Sequence, residues 1–153
     1  IICIFKQFFT NYIVMSALAG WFTAQGLKIV TGYFKNKKFN IIDAMFGSGG
    51  MPSSHTATVI ALCGSLGFSS GWDSEIFAAS GVFAFITMFD AVKVRLPVEK
   101  LTEAFNDLQD KFYGKDVKDV KKVEGHTIPE IIGGFVVGAL VSYIMVRVVG
   151  FLG

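Results

Sequence analysis

The only two histidines of this 153-residue chain sit in two short polar motifs, Met51-Pro52-Ser53-Ser54-His55 and Gly125-His126-Thr127-Ile128-Pro129-Glu130. Two imidazoles, two hydroxyls, a carboxylate and nearby lysines suit phosphoryl transfer, because one imidazole can attack phosphorus while the other protonates the departing oxygen. Such a reaction asks for positioning and charge neutralisation. Lys28 and Arg95 are candidate ligands for phosphoryl oxygens, Arg95 through a bidentate fork. The competing role for each is a basic anchor at a membrane interface. Gly47-Ser48-Gly49-Gly50, just ahead of the first motif, supplies backbone that can approach phosphate closely. Pro52 reads as an early helical residue, with Ser53 and Ser54 as hydroxyl donors behind it.

Glu130 has two readings. Thr127-x-x-Glu130 is a capping box, in which the carboxylate reaches back to the helix start. If the helix starts slightly earlier, His126 and Glu130 lie one turn apart, and the carboxylate orients the imidazole. Asp90 follows the apolar run Phe83-Ala84-Phe85-Ile86-Thr87-Met88-Phe89 and therefore sits at a membrane boundary, where an ionisable group is normally paired. Lys93, one turn on, and Lys28 are its candidate partners, and an ion pair and a site role are both open. A metal site built from the two histidines, Glu130 and Asp90 is thin in ligands for a transition metal, and none is expected.

These residues need a scaffold, and the composition says which kind. Apolar residues make up 52% of the chain and charged residues 17%, with sixteen phenylalanines, too little polar surface for a soluble domain of this size. The reading is a single all-α integral membrane domain over 1–153, a multi-pass transmembrane helical bundle. Four stretches serve as spans, at about 9–26, 54–68, 76–89 and 131–149, the middle two short against the roughly 20 residues of a full crossing. Lys6 ahead of the first stretch might suggest a secretory signal, but no small-residue cleavage site follows, so a retained span is expected. The chain opens on Ile rather than Met, and residues ahead of it are expected. Cys3 and Cys63 lie in apolar surroundings and read as inert thiols.

The connections at about 28–50 and 93–125 hold Lys28, Lys35, Lys37, Lys38, Lys93, Arg95, Lys100, Lys111, Lys115, Lys118, Lys121 and Lys122. The positive-inside bias makes that side cytoplasmic, with both termini opposite. The second and fourth spans then begin on the cytoplasmic side, each at a histidine motif, and two helix N-termini face one anion-favouring region. Val98, Leu101, Phe105, Leu108 and Phe112 recur at helical spacing and predict an amphipathic cytoplasmic helix, lying on the membrane, capping the cytoplasmic mouth or packing on the bundle. The stretch from Lys115 to Lys122 reads as a mixed-charge, mobile linker. Gly134 and Gly138 form a G-x-x-x-G that permits close helix packing, within the chain or in a homodimer. Membrane lipids are the expected surroundings, and a net charge of +2 gives no reason to expect a nucleic-acid partner.

The two histidine motifs, with Ala24-Gln25-Gly26-Leu27-Lys28 ahead and Phe89-Asp90-Ala91-Val92-Lys93-Val94-Arg95 between, resemble the divergent branch of the type 2 phosphatidic acid phosphatase superfamily, to which vanadium-dependent haloperoxidases also belong. The likeness covers nearly the whole chain. It implies a metal-independent, cofactor-free phosphomonoester hydrolase acting on a lipid phosphate. His126 would be the nucleophile that forms a phosphohistidine, His55 the general acid and Glu130 the orienting carboxylate. Lys28, Ser53 and Ser54 would belong to the phosphate site. Ser54 stands where the wider superfamily has glycine, Glu130 where it has aspartate, and Val120 where a Ser-Arg is expected, so Arg95 is the candidate replacement cation. The alternative is a catalytically silent membrane protein that binds phosphorylated lipid or anion at the same site. Phosphate binding without phosphate release distinguishes it.

Overall fold

The computed structural model describes residues 10–35, 50–114, 117–123 and 125–152, and the regular elements among them are all helical. Cys3, Lys6, Lys37, Lys38, Gly47 to Gly49, Lys115 and Asp116 lie outside these residues. Helix α1 (Tyr12–Lys35) starts at Asn11, whose side chain accepts the Ile13 N–H at 3.0 Å, as an N-cap should. Helix α2 (Ser54–Ser70) is capped by the Ser53 hydroxyl, which accepts from Thr56 N–H, and ends at Gly71, whose φ of 96° suits only glycine. Helix α3 (Glu75–Asp90) starts at the Ser74 cap. A π-helical turn, Ala91–Arg95, joins α3 directly to α4 (Leu96–Tyr113), and α5 (Ile128–Leu152) completes the fold.

Helix α2 is the hub. It packs against α1, α3 and α5, and α1 also packs on α5. Its buried positions are mostly small: Ser54, Ala57, Ala61, Cys63, Ser65 and Gly67 among them. Close approach between helices follows from that composition. A Cβ at Gly138 would lie 2.6 Å from the Ala57 carbonyl oxygen, and one at Gly134 would collide with the Ser53 carbonyl. The G-x-x-x-G therefore serves contact within the chain. Both glycines are buried against α2. Gly138→Val should push α5 off α2 and destabilise the fold by about 1–3 kcal/mol, the usual range for overpacking; thermal unfolding in detergent should show a lowered Tm. Hydroxyls add polar ties between α1 and α2, with Ser65 Oγ donating to Ser16 Oγ at 2.7 Å and Tyr12 Oη to the Ser65 carbonyl at 3.3 Å.

Among the described residues, three helical stretches are long and apolar enough to cross a membrane: Tyr12–Thr31, Glu75–Tyr113 and Ile128–Val148. With 17 residues, α2 is short for a crossing, as expected, and its neighbours surround it. The outward faces carry Phe22, Val82, Phe85, Ile86 and Leu140, all more than half exposed. That much outward apolar surface belongs against lipid.

The third span passes into the amphipathic helix with no loop between them, as one helix of 39 residues. Pro97 has no N–H for the Lys93 carbonyl, and the π turn just ahead of it absorbs the defect. One expectation needs correction: the lysine-rich linker is not loose. Within 117–123 it runs back along α4 as a strap (117–123), with Asn106 exchanging two 3.0 Å hydrogen bonds with the backbone of Val120 and Lys122 pairing with Glu103 at 2.9 Å.

Candidate active site

The second histidine motif is seated by backbone contacts before any side chain acts. Gly125 N–H donates to Glu99 Oε2 at 2.8 Å, and His126 N–H donates to the Ala91 carbonyl at 3.1 Å. A Cβ at Gly125 would overlap the Leu96 backbone, so only glycine lets the chain lie this close to the start of α4. The motif is thereby docked against the π turn, next to Asp90 and Arg95.

Glu130 performs both of the roles open to it. Its Oε2 accepts from Thr127 N–H at 2.9 Å, the backward reach of a capping box, and lies 3.3 Å from His126 Nδ1. An ionised carboxylate only accepts, so the proton of neutral His126 is assigned to Nδ1 and the lone pair to Nε2. Nε2 is buried and has no hydrogen-bond partner among the described residues. Burial pushes the imidazole below its ordinary pKa of 6.5; the Glu130 hydrogen bond opposes this, and the charges of Lys28 and Arg95 reinforce it. His126 is therefore neutral at pH 7. The folded chain binds this proton less readily than the unfolded chain, so stability rises as pH climbs through the window below about 6.5 and levels off above it. Unfolding temperatures across about pH 5 to 7.5 should show that slope, and His126→Gln should lessen it by this residue's share.

The first motif meets the second at the start of α2. Ser53 N–H donates to the Glu130 carbonyl at 3.0 Å, and Thr31 Oγ1 donates to the Met51 carbonyl at 2.9 Å, tying α1, α2 and α5 together. The His55 and His126 ring centroids are 6.1 Å apart, with their planes inclined by 55°. Lys28 is buried, and its Nζ donates to Ser54 Oγ at 3.4 Å. It lies within α1 rather than closing it. Arg95, His126, Lys28 and Asp90 are the charged or titratable groups whose field His55 feels.

His55, His126, Glu130, Lys28 and Ser54 therefore come together, with Arg95 and Asp90 alongside. Asp90 pairs with Arg95 through Nε at 2.5 Å, not with Lys93 or Lys28. Other expected members stand apart. The Ser53 hydroxyl accepts from Thr56 N–H and Oγ1 as the cap of α2, which leaves its O–H free to donate, and Pro52 precedes α2 instead of opening it. Gly50 is exposed, with a φ of 92°. Glu99 and Ala91, which seat the histidine motif, were not foreseen. Glu99 reads as one more polar residue on an amphipathic helix, and a carbonyl leaves no trace in a sequence. Among the described residues, no group of three or more His, Cys, Asp or Glu side chains could hold a metal ion.

Residues 9–141 match the model of the Divergent PAP2 family. The chain is also 32% identical over 153 residues to a Bacillus subtilis (strain 168) protein named "Uncharacterized membrane protein YuiD", an alignment that covers 91% of this chain and 96% of that one. No solved structure matches.

Proposed function

The chain belongs to the Divergent PAP2 family, and on that premise we propose that it is a membrane-embedded phosphomonoester hydrolase that acts on a lipid phosphate through a phosphohistidine. One observation carries the reading: two imidazoles 6.1 Å apart, one held at Nδ1 by a carboxylate with its Nε2 unpartnered. His126 Nε2 attacks phosphorus in line. A P–N bond forms as the P–O ester bond breaks, and protonated His55 gives its proton to the departing alkoxide. Water, deprotonated by His55, then attacks phosphorus; the P–N bond breaks, and inorganic phosphate leaves with both imidazoles restored. Lys28, Ser54 and the Nη edge of Arg95 stabilise the equatorial oxygens, with Asp90 holding the guanidinium plane. The positive-inside bias puts this site on the cytoplasmic side and both termini opposite.

A groove supports a lipid substrate over a soluble one. Helices α3 and α5 both pack on α2 but scarcely on each other, and between them lies a cavity of about 540 Å³ lined by Ile60, Gly64, Gly81, Met88, Phe135 and Tyr143, among others. Its volume is that of a ligand pocket, about 300–1,000 Å³. At about 1.5 Å of rise per residue, Ile60 lies roughly 7 Å along α2 from His55. An acyl chain lying there leaves its phosphate near the imidazoles. A Cβ at Gly81 meets nothing closer than Cys63 Sγ at 4.0 Å, so Gly81→Leu fills the groove without straining the backbone. It should lower turnover of a long-chain phosphatidate at least several-fold and leave a short-chain phosphomonoester unaffected.

The competing reading, a silent binder of phosphorylated lipid, is favoured by Val120 standing where the superfamily has a Ser-Arg and by the engagement of Arg95 with Asp90. Phosphate release from phosphatidate in nanodiscs containing excess chelator tests between them. Release supports the hydrolase; retention of bound phosphatidate without release supports the binder.

A further inference from the structure

Helix α4 leaves the bundle with an apolar face that the described chain leaves open, bordered at its far end by Val117 of the strap, which lines a groove with Phe105, Leu108 and Phe112. Val94, Val98, Leu101, Phe105, Leu108 and Phe112 follow one another at alternating steps of four and three residues, and all are exposed, Leu101 and Phe112 at 71% and 73%. The opposite face is occupied by the strap: Glu99, Glu103, Asn106 and Gln109 each hold a strap residue or Gly125. Helix α4 makes no extensive contact with α1, α2 or α5. One face is thus filled from within the chain, and the other awaits an apolar phase.

We infer that α4 is an interfacial arm whose apolar stripe inserts into the lipid surface beside the site. Three observations favour lipid over a second copy of the chain. The stripe continues, along one unbroken helix, the outward residues Phe85, Ile86 and Phe89 of α3, which already face the bilayer. The positions flanking it as a coiled-coil seam would be Arg95, Pro97, Thr102, Ala104, Gln109 and Lys111, which lack the complementary Glu–Lys pairs that choose a partner helix. The a/d stripe, which runs only from Val94 to Phe112, also falls short of the three to four heptads that mark a coiled coil. The charges say what kind of surface it is. Helix α4 has four carboxylates and two lysines, and the strap has three lysines and one carboxylate. The arm is neutral as a unit, so the insertion is driven by apolar burial and needs no anionic lipid. Because the strap leads to Gly125 and His126, seating the arm at the surface holds the candidate nucleophile at head-group level. The inference depends on membrane embedding and not on the hydrolase reading.

The test uses the full chain with Cys3→Ser and Cys63→Ala, carrying either Phe105→Cys or Asp107→Cys, each labelled with an environment-sensitive fluorophore. Both positions are exposed, so neither substitution disturbs the core. In nanodiscs of phosphatidylcholine containing a nitroxide-labelled lipid, quenching at position 105 should exceed that at 107 at least three-fold, with no anionic lipid present. Equal quenching at the two positions overturns the inference. So does a probe at 105 that is shielded from the nitroxide while native mass measurement finds a dimer, since a second copy then covers the stripe.

Discussion

His126→Ala should abolish phosphate release from a lipid phosphate while leaving the helical signal and thermal unfolding near those of the parent chain. The side chain supplies the only nitrogen lone pair in the cluster that is both buried and unpartnered among the described residues, and without it no P–N bond can form. Losses for removal of a nucleophile are of the order of 10⁶-fold in enzymes that work through a covalent intermediate. The fold should survive. The motif is seated by the backbone N–H groups of Gly125 and His126 on Glu99 and Ala91, and these bonds do not need the imidazole. Glu130 keeps its hydrogen bond from Thr127 N–H, so the start of α5 stays capped. Measuring phosphate release and circular dichroism on the same preparation separates the two effects. Undiminished turnover would remove His126 from the chemistry.

His55→Gln should lower turnover of an alkyl phosphomonoester by about 10²–10⁴-fold, the usual contribution of a positioned general acid. The loss should shrink when the leaving group is a phenolate of low pKa, which departs without protonation. That dependence distinguishes an acid from a residue that merely binds substrate, because a binding defect lowers turnover of both substrates alike. His55 is half-buried at the first turn of α2, and no hydrogen bond among the described residues depends on its ring, so the substitution should spare the fold.

The candidate site residues stood out in the sequence because their types are specific. Two histidines, a glutamate one turn from the second and a lysine at the mouth of an apolar segment point to one reaction class before any geometry is known. The convergence of α2 and α5 was also legible, since both begin at a histidine motif and carry small residues along their contact. The partner of Asp90 was not. In an α-helix, side chains three or four positions apart share a face, which selects Lys93. The π turn widens the spiral, so that a residue five positions on, Arg95, lies against Asp90 instead. The strap was equally hidden. Its register is set by Asn106 and Glu99 bonding backbone groups of Val120 and Gly125, and backbone groups are the same in every sequence. Ser53 adds a role the sequence did not disclose, since its hydroxyl accepts as the cap of α2 while its O–H remains to donate.

The most direct measurement is to trap the covalent intermediate. A chain turning over phosphatidate is quenched rapidly in alkali, where phosphohistidine survives, and its peptides are mapped by mass spectrometry. The phosphoryl group should be found on His126, absent from His55 and Ser54, and lost in His126→Ala. A phosphoryl group on His55 or Ser54, or turnover with no adduct on His126, would contradict the assignment of that imidazole as the attacking group.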